Sequence, residues 1–396
     1  MELRAVFAAL VALAVSAALT PFVARLARRV GAVDQLKERG LADRPTPLFG
    51  GLAILCGALA AGFLFLPDDQ RLRGILIGAL IVTAVGALDD LRDLSPPWKL
   101  AGQTAAALAL VLAGVQVHTF TLPFVHRVVL GDLGAPLTLI GLVGVMNVVN
   151  FSDGIDGLAA GVCAISSVAF AVIAFDLGRT SAAVLAAITA GAALGFLLHN
   201  FHPASVFMGD CGSNLLGLLL GAIIVEGSLK TNALIALIGP LVILAVPFLD
   251  TGFVVAKRIK YRRPIYIGDS NHFHHRFHRI GFSQRRTVLY LYVWTLIMAG
   301  DAVALRFIPY SARSGHLHPA WAAVMATLLL LGAAASVYLV YVLEILKLRR
   351  LRAWQLRRAD PETSEHDIDT TVQHDLETGE FEAVRRETEE FGALGR

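Results

Sequence analysis

Four polar clusters interrupt an otherwise apolar chain, and each holds residue types that can do chemistry. The first is Asp89-Asp90-Leu91-Arg92-Asp93, followed closely by Lys99. If a helix continues through it, Asp89 and Asp93 stand at i and i+4 and share a face. Adjacent carboxylates beside an apolar run cost free energy unless a cation or a positive ligand compensates them; a hydrated helix end with Arg92 as partner is the plainer account. The second cluster places Asn147, Asn150, Asp153 and Asp156 at every third position, with Gly154 and Gly157 allowing close backbone approach. Such a row can line a groove with oxygen ligands, whereas a simple turn explains Gly154 but not two asparagines inside an apolar run. The third, Phe207-Met208-Gly209-Asp210-Cys211-Gly212-Ser213-Asn214, opens an apolar run. An Asp among glycines at a helix N-terminus suits phosphate and Mg²⁺ together, with ordinary capping by Asp or Ser as the competing account. The fourth is His272-Phe273-His274-His275-Arg276, inside a stretch over 257–286 rich in Lys and Arg. No Cys joins it and the spacing matches no common zinc pattern. Facing acidic clusters, it reads as a diphosphate clamp, or more simply as a basic membrane-surface loop. Asp250 is an ionisable residue inside an apolar run and a further candidate, unless Lys257 or Arg258 pairs with it.

The elements that must position these clusters follow from composition. The chain of 396 residues is 56% hydrophobic and 16% charged, where a soluble domain carries about 25% charge. The apolar residues gather in blocks of the length that crosses a bilayer as helix, about 20 residues. They lie at about 4–24, 48–66, 74–91, 99–117, 135–151, 157–176, 182–199, 213–226, 232–256, 287–306 and 319–346. The backbone must satisfy its own hydrogen bonds in lipid and no alternating pattern is seen, so the expected fold is an all-α integral membrane protein of about eleven transmembrane helices. Gly78, Gly86, Gly191, Gly195, Gly217 and Gly221 allow these helices to approach closely. The first block is long for a cleaved leader and runs into Arg25, Arg28 and Arg29, so a retained anchor is expected. With the N-terminus outside, 23 of the 34 Lys and Arg fall on inner segments and eight on outer ones. That asymmetry favours an outside N-terminus and a cytoplasmic C-terminus, and it puts all four clusters at the cytoplasmic face. Residues 1–346 then form the multi-span domain and 347–358 a basic juxtamembrane segment suited to anionic headgroups. Residues 359–396 hold twelve of the 31 acidic residues and are expected to be a disordered cytoplasmic tail. A net charge of +3 gives no reason to expect a nucleic-acid partner. Cys56, Cys163 and Cys211 are too scattered for a disulfide framework.

Carboxylates with amide oxygens suit Mg²⁺, with Mn²⁺ as the acceptable substitute. Basic and imidazole side chains suit a polyanion, and a bilayer surface suits a second substrate with a lipid tail. Together they point to phosphoryl transfer between a soluble nucleotide and a membrane lipid, without naming the sugar.

In order and spacing, the clusters Asp89-Asp90 with Asp93, Asn150 to Gly157, Phe207 to Ser213 and His272 to Arg276 resemble the polyprenyl-phosphate N-acetylhexosamine-1-phosphate transferase family, glycosyltransferase family 4. Asp34 to Arg44-Pro45-Thr46-Pro47, leading into Gly50-Gly51, is similar too, and the likeness covers about residues 20–310. The resemblance implies ten or eleven spans. It implies Asp210 and Asn150 as Mg²⁺ ligands with Asp153 nearby, and Asp89 as the catalytic carboxylate beside Asp90. Lys99 would lie near the lipid phosphate, and Asp156, Phe207, His272, His274, His275 and Arg276 would hold the nucleotide-sugar. Asn147, heading the same polar row, is expected on the substrate side as well. His-Phe-His-His-Arg and Pro247 to Asp250 resemble the branch that uses UDP-GlcNAc and undecaprenyl phosphate. The branch that uses UDP-MurNAc-pentapeptide, with three consecutive His, is the alternative. Gln35 after Asp34 departs from the usual pattern. The expected reaction is transfer of GlcNAc-1-phosphate onto polyprenyl phosphate at the cell membrane, releasing UMP. A phosphate monoester is mostly dianionic near neutral pH, which favours direct transfer over a covalent intermediate. A transporter or flippase is the rival from another class, and a homodimer is left open.

Overall fold

The structure is a computed structural model and describes residues 2–34, 45–122, 126–228, 283–309 and 318–341, with shorter stretches between 353 and 378. Its helices are α1 Glu2–Val30, α2 Gly50–Phe65, α3 Gln70–Arg92, α4 Pro96–Leu112, α5 Gly134–Ser152, α6 Leu158–Asp176, α7 Thr180–Asn200, α8 Gly209–Ser228, α9 Gln284–Phe307, α10 Pro319–Tyr341 and α11 Glu365–Thr378. Each expected span within the described residues is a helix, and eight of these are long and apolar enough to cross a membrane. The fold is that of a mostly helical membrane protein. The span expected at 232–256, with Asp250, lies outside the described residues, as do His272, His274, His275 and Arg276.

Local signals set several helix starts. The Asp69 carboxylate accepts from the Leu72 N–H at 2.8 Å and caps α3. Pro96 and Pro97 open α4, where a missing N–H costs nothing. α1 continues past the expected boundary through Arg25 to Val30, its last-turn arginines suiting the negative end of the helix dipole.

Helix α8 runs through the centre and packs against α2, α3, α5, α6 and α7. Leu215, Leu216, Leu218, Leu219 and Leu220 are fully buried. In its apolar window 78% is buried, against 17% in α10, so α8 is the core helix and α10 a peripheral one. Leu3, Phe7 and Leu10 on α1 and Leu330 and Leu331 on α10 are exposed, as lipid-facing side chains are. Small residues set the spacing. Side chains at Gly191 or Gly195 would collide with the Ala9 and Leu13 carbonyls of α1, and one at Gly217 would meet Met146 of α5.

Three local features depart from expectation. Two small antiparallel sheets interrupt the all-helical reading: β1 Val33–Asp34 pairs with β2 Thr46–Pro47, and β3 Thr119–Leu122 pairs with β4 His126–Val129. β-branched Thr119, Thr121, Val128 and Val129 favour the second hairpin, but such short strands give no readable alternation. Within the tail expected to be disordered, Glu365–Thr378 forms a helix. Ser364 and Asp367 cap it reciprocally, the Asp367 N–H donating to Ser364 Oγ at 3.2 Å and the Ser364 N–H to Asp367 Oδ2 at 3.3 Å. Finally, α3 ends at Arg92 and Asp93 is its left-handed cap, φ 50°, so Asp89 and Asp93 do not share a helix face. The cysteines are free thiols, Cys163 and Cys211 buried and Cys56 exposed.

Candidate active site

One end of the bundle gathers the C-terminal ends of α1, α3, α5 and α7 and the N-terminal ends of α4 and α8. Between them lies a cleft of about 830 Å³, lined by Asp34, Asp89, Asp90, Asp93, Lys99, Asn150, Asp153, Asp156, Phe207 and Asp210 among others. Ten of the residues or motif positions singled out from separate stretches of sequence thus meet at a single site, and the strand pairing of Val33–Asp34 closes one rim.

Lys99 stands at the centre. Its Nζ lies 2.6 Å from Asp89 Oδ2 and 3.3 Å from Asp210 Oδ2. Asp89 is only 7% exposed, and its other oxygen accepts from the Leu94 N–H at 2.7 Å. Asn150 Nδ2 donates to Asp210 Oδ1 at 3.0 Å and to Ser213 Oγ at 2.9 Å. As a metal ligand Asn150 would present its oxygen instead, by a flip of the side-chain amide.

Asp90 does something the sequence did not suggest. Its carboxylate accepts from the backbone N–H of Asp210 at 2.8 Å and of Cys211 at 3.3 Å, capping α8 from another helix. The approach needs glycine on both sides. A side chain at Gly209 would collide with the Asp90 carboxylate, and one at Gly86 with the Cys211 backbone. The Asp210 and Cys211 amides at the start of α8 are therefore taken by Asp90. Two of the amides in the first turn of α8, where a phosphate is expected, thus already have a carboxylate partner, while Asp90 also lines the cleft.

Asn147, expected on the substrate side, is hydrogen-bonded below the cleft. It is absent from the cleft lining, and its Nδ2 donates to Gln103 Oε1 and to the Val143 carbonyl, each at 2.8 Å. Gln103 Nε2 in turn donates to Asn214 Oδ1 at 2.8 Å, and Asn214 Nδ2 to the Asp210 carbonyl at 2.8 Å. This buried amide chain ties α4 and α5 to the first turn of α8, beneath Asp210. Gln103 went unremarked in the sequence, although a polar amide inside an apolar block is the available signal.

The remaining rim is backbone-rich. Asp156 Oδ2 lies 2.8 Å from His202 Nδ1 and accepts from the Ala204 N–H at 2.9 Å, while Asn200 Oδ1 accepts from the Gly157 N–H at 3.0 Å. Gly157 has φ 80°, a conformation that favours glycine. Phe207 is fixed by donating its N–H to the Pro47 carbonyl at 2.8 Å. Gly51 lets α2 meet α8 there, since a side chain would run into Gly212. The Asp153 N–H donates to the Asn150 carbonyl at 3.1 Å, and its carboxylate has no hydrogen-bond partner among the described residues. Burial, reinforced by Asp210, Asp90 and Asp156, pushes its carboxyl up to about 8.

Among the described residues no group of three His, Cys, Asp or Glu is disposed to hold a metal ion. What the cleft offers is two carboxylates converging on the Lys99 ammonium, with the Asn150 amide on the other oxygen of Asp210. Mg²⁺ is commonly bound by one or two carboxylates, with water and substrate phosphate completing its shell. The donor set fits that pattern.

A family model described as glycosyl transferase family 4 matches residues 72–228, the stretch that carries Asp89, Asp90, Lys99, Asn150, Asp153 and Asp210. The chain is 38% identical over 309 residues, 77% of its length and 86% of the relative's, to a probable undecaprenyl-phosphate N-acetylglucosaminyl 1-phosphate transferase of Bacillus subtilis. It is 35% identical to a decaprenyl-phosphate N-acetylglucosaminephosphotransferase of Mycobacterium tuberculosis, over 78% of this chain and 84% of that one. To a phospho-N-acetylmuramoyl-pentapeptide-transferase of Desulforudis audaxviator it is 32% identical, over 74% of this chain and 95% of that one. With its acidic cleft and these relatives, the chain belongs to glycosyl transferase family 4.

Proposed function

We propose that this protein transfers N-acetylglucosamine 1-phosphate from UDP-GlcNAc to a polyprenyl phosphate, releasing UMP, at the cytoplasmic face of the cell membrane. The observation that carries this reading is the convergence of Asp89, Asp210, Asn150 and Lys99 at one end of a membrane bundle. The names of the B. subtilis and M. tuberculosis relatives support the sugar and the lipid class. A cleft at the helix ends favours an enzyme over a transporter, whose binding site usually lies near the bilayer midplane. The cytoplasmic orientation, with an outside N-terminus and about eleven spans, is supported by the positive-inside asymmetry. Arg28 and Arg29, near the α1 end that lines the cleft, agree with it.

In the reaction an oxygen of the lipid phosphate attacks the sugar-side phosphorus of UDP-GlcNAc. A new P–O bond forms, the bond from that phosphorus to the bridging oxygen breaks, and UMP leaves. The attacking phosphate is mostly dianionic at neutral pH, so no strong general base is required. Positioning and charge neutralisation carry the catalysis. Asp89, Asp210 and Asn150 would hold Mg²⁺, which supplies neutralisation of the diphosphate charge when bound. Lys99 contributes a cation beside the phosphates, and Asp90 and the Gln103 amide chain hold Asp210 in register. Asp156 and Phe207 line the wall where a nucleotide-sugar would rest, and His272, His274, His275 and Arg276 supply its diphosphate clamp.

The test is UMP release by membranes carrying the protein, supplied with polyprenyl phosphate and, in turn, UDP-GlcNAc, UDP-GalNAc or UDP-MurNAc-pentapeptide. Activity with UDP-GlcNAc is expected. Release of UMP only with the pentapeptide substrate would reassign the sugar, and none with any donor would reject the enzyme.

A further inference from the structure

The two carboxylates that converge in the cleft share a single cationic position, and a side chain of this chain already holds it. Lys99 Nζ is within ion-pair distance of both Asp89 Oδ2 and Asp210 Oδ2. The ammonium stands near the N-terminus of α4, where the helix dipole presents its positive end. Nothing about α4 itself favours a cation there. The Asp89 and Asp210 carboxylates hold it, and about a third of the Lys99 side chain remains open to the cleft.

We infer that Lys99 is a built-in stand-in for the divalent cation. The ammonium and the metal ion compete for the Asp89–Asp210 pair, and metal binding frees Lys99 to turn on its flexible stem toward the polyanionic substrate. The inference rests on the proposed use of a divalent cation. It adds that Lys99 is bound to the carboxylates only in the metal-free protein, which makes it an occupant of the metal position and a phosphate ligand in sequence. The arrangement avoids leaving a row of uncompensated carboxylates at a membrane boundary before substrate arrives. It also supplies a positive charge for the phosphates once the metal has replaced it.

The experiment measures cation binding directly, by the loss of the free Mn²⁺ spin-resonance signal on titrating the full-length detergent-solubilised protein at pH 8. Lys99→Met and Lys99→Gln should bind Mn²⁺ at least about tenfold more tightly than the unaltered protein, because a charged hydrogen-bond partner no longer has to be displaced. Equal or weaker binding by both variants, with UMP release by the unaltered protein intact, overturns the competition and leaves the transferase reading standing. No Mn²⁺ binding by the unaltered protein overturns the metal reading and this inference with it. If neither variant folds, amine acetylation of the unaltered protein decides the matter. Mg²⁺ should raise labelling of Lys99 several-fold, and unchanged or reduced labelling overturns the proposal.

Discussion

The two ends of this bundle handle acidic residues in opposite ways. At the end away from the cleft three carboxylates among the described residues each have their own cation: Asp68 with Arg73, Glu226 with Arg71, Asp176 with Arg306. At the cleft end Asp89, Asp90, Asp153, Asp156 and Asp210 crowd together, and one ammonium serves two of them. A cavity of about 370 Å³ lies at the far end too, lined by Asp69, Arg71, Arg179 and Glu226, so concavity alone does not distinguish the ends. What distinguishes them, among the described residues, is the excess of carboxylates over cations in the cleft. The far end is electrostatically settled, while the cleft end is acidic by construction and suited to recruiting a cation and a phosphate-bearing substrate.

The comparison can be broken by removing charge at either end. Asp210→Asn and Asp89→Asn should each lower UMP release by about 10²–10³, the usual loss for a preorganised electrostatic group, with little change in melting temperature. Near-normal turnover in either would remove the cleft's claim to the chemistry. Asp90→Ala should behave differently. It deprives α8 of its cap, costing about 1–2 kcal/mol of stability, so a lowered melting temperature should accompany the loss of activity. Asp90→Asn, which keeps an accepting oxygen, should recover part of both; a fully stable, inactive Asp90→Ala would make it a reacting group after all.

Two smaller effects sharpen the contrast. Gln103→Leu takes from Asn214 Oδ1 its donor and from Asn147 one of its two acceptors in a largely buried setting, a cost of about 1–3 kcal/mol. Because Asn214 holds the Asp210 backbone, kcat should fall more than KM rises, with partial rescue by Gln103→Asn. The second concerns Asp153. Its folded-state carboxyl titrates near 8, above the ordinary value of 3.8. Between about pH 4 and 8 the folded protein keeps a proton that the unfolded chain has lost, so stability falls as pH rises through that window. Cation-free protein should melt progressively lower across it, and Asp153→Asn should flatten the slope. Arg71→Gln at the settled end is the smallest perturbation, expected to leave UMP release unchanged, as a partly exposed ion pair contributes little. A large loss there would mean the two ends are coupled.

Much of the site was readable before any coordinates. Asp89, Lys99, Asn150, Asp153, Asp156, Phe207 and Asp210 reach one cleft because their helices alternate in direction and each cluster sits at a helix end. What could not be read is how the polar groups divide the work. Sequence spacing gives Asp89 and Asp90 equal claims, yet one pairs with Lys99 and the other accepts from the amides of a helix far along the chain. That partnership depends on Gly86 and Gly209 meeting in three dimensions. The period of the polar row points Asn147 toward the substrate side, whereas its amide partner Gln103 stands on α4, far away in sequence. The short hairpins were missed because two to four residues carry no periodic signal, and α11 because an acidic composition masked the Ser364-x-x-Asp367 capping pattern.

The grip of Asp90 on α8 has a kinematic consequence. The last turn of α3 and the first turn of α8 are clasped by a carboxylate, with bare backbone where they touch, and so behave as one stiff block. Breathing that admits a bulky lipid headgroup must then come from the lips, the Val33–Asp34 ribbon and the bend around Gly157, while the acidic bed beneath keeps its shape from one turnover to the next.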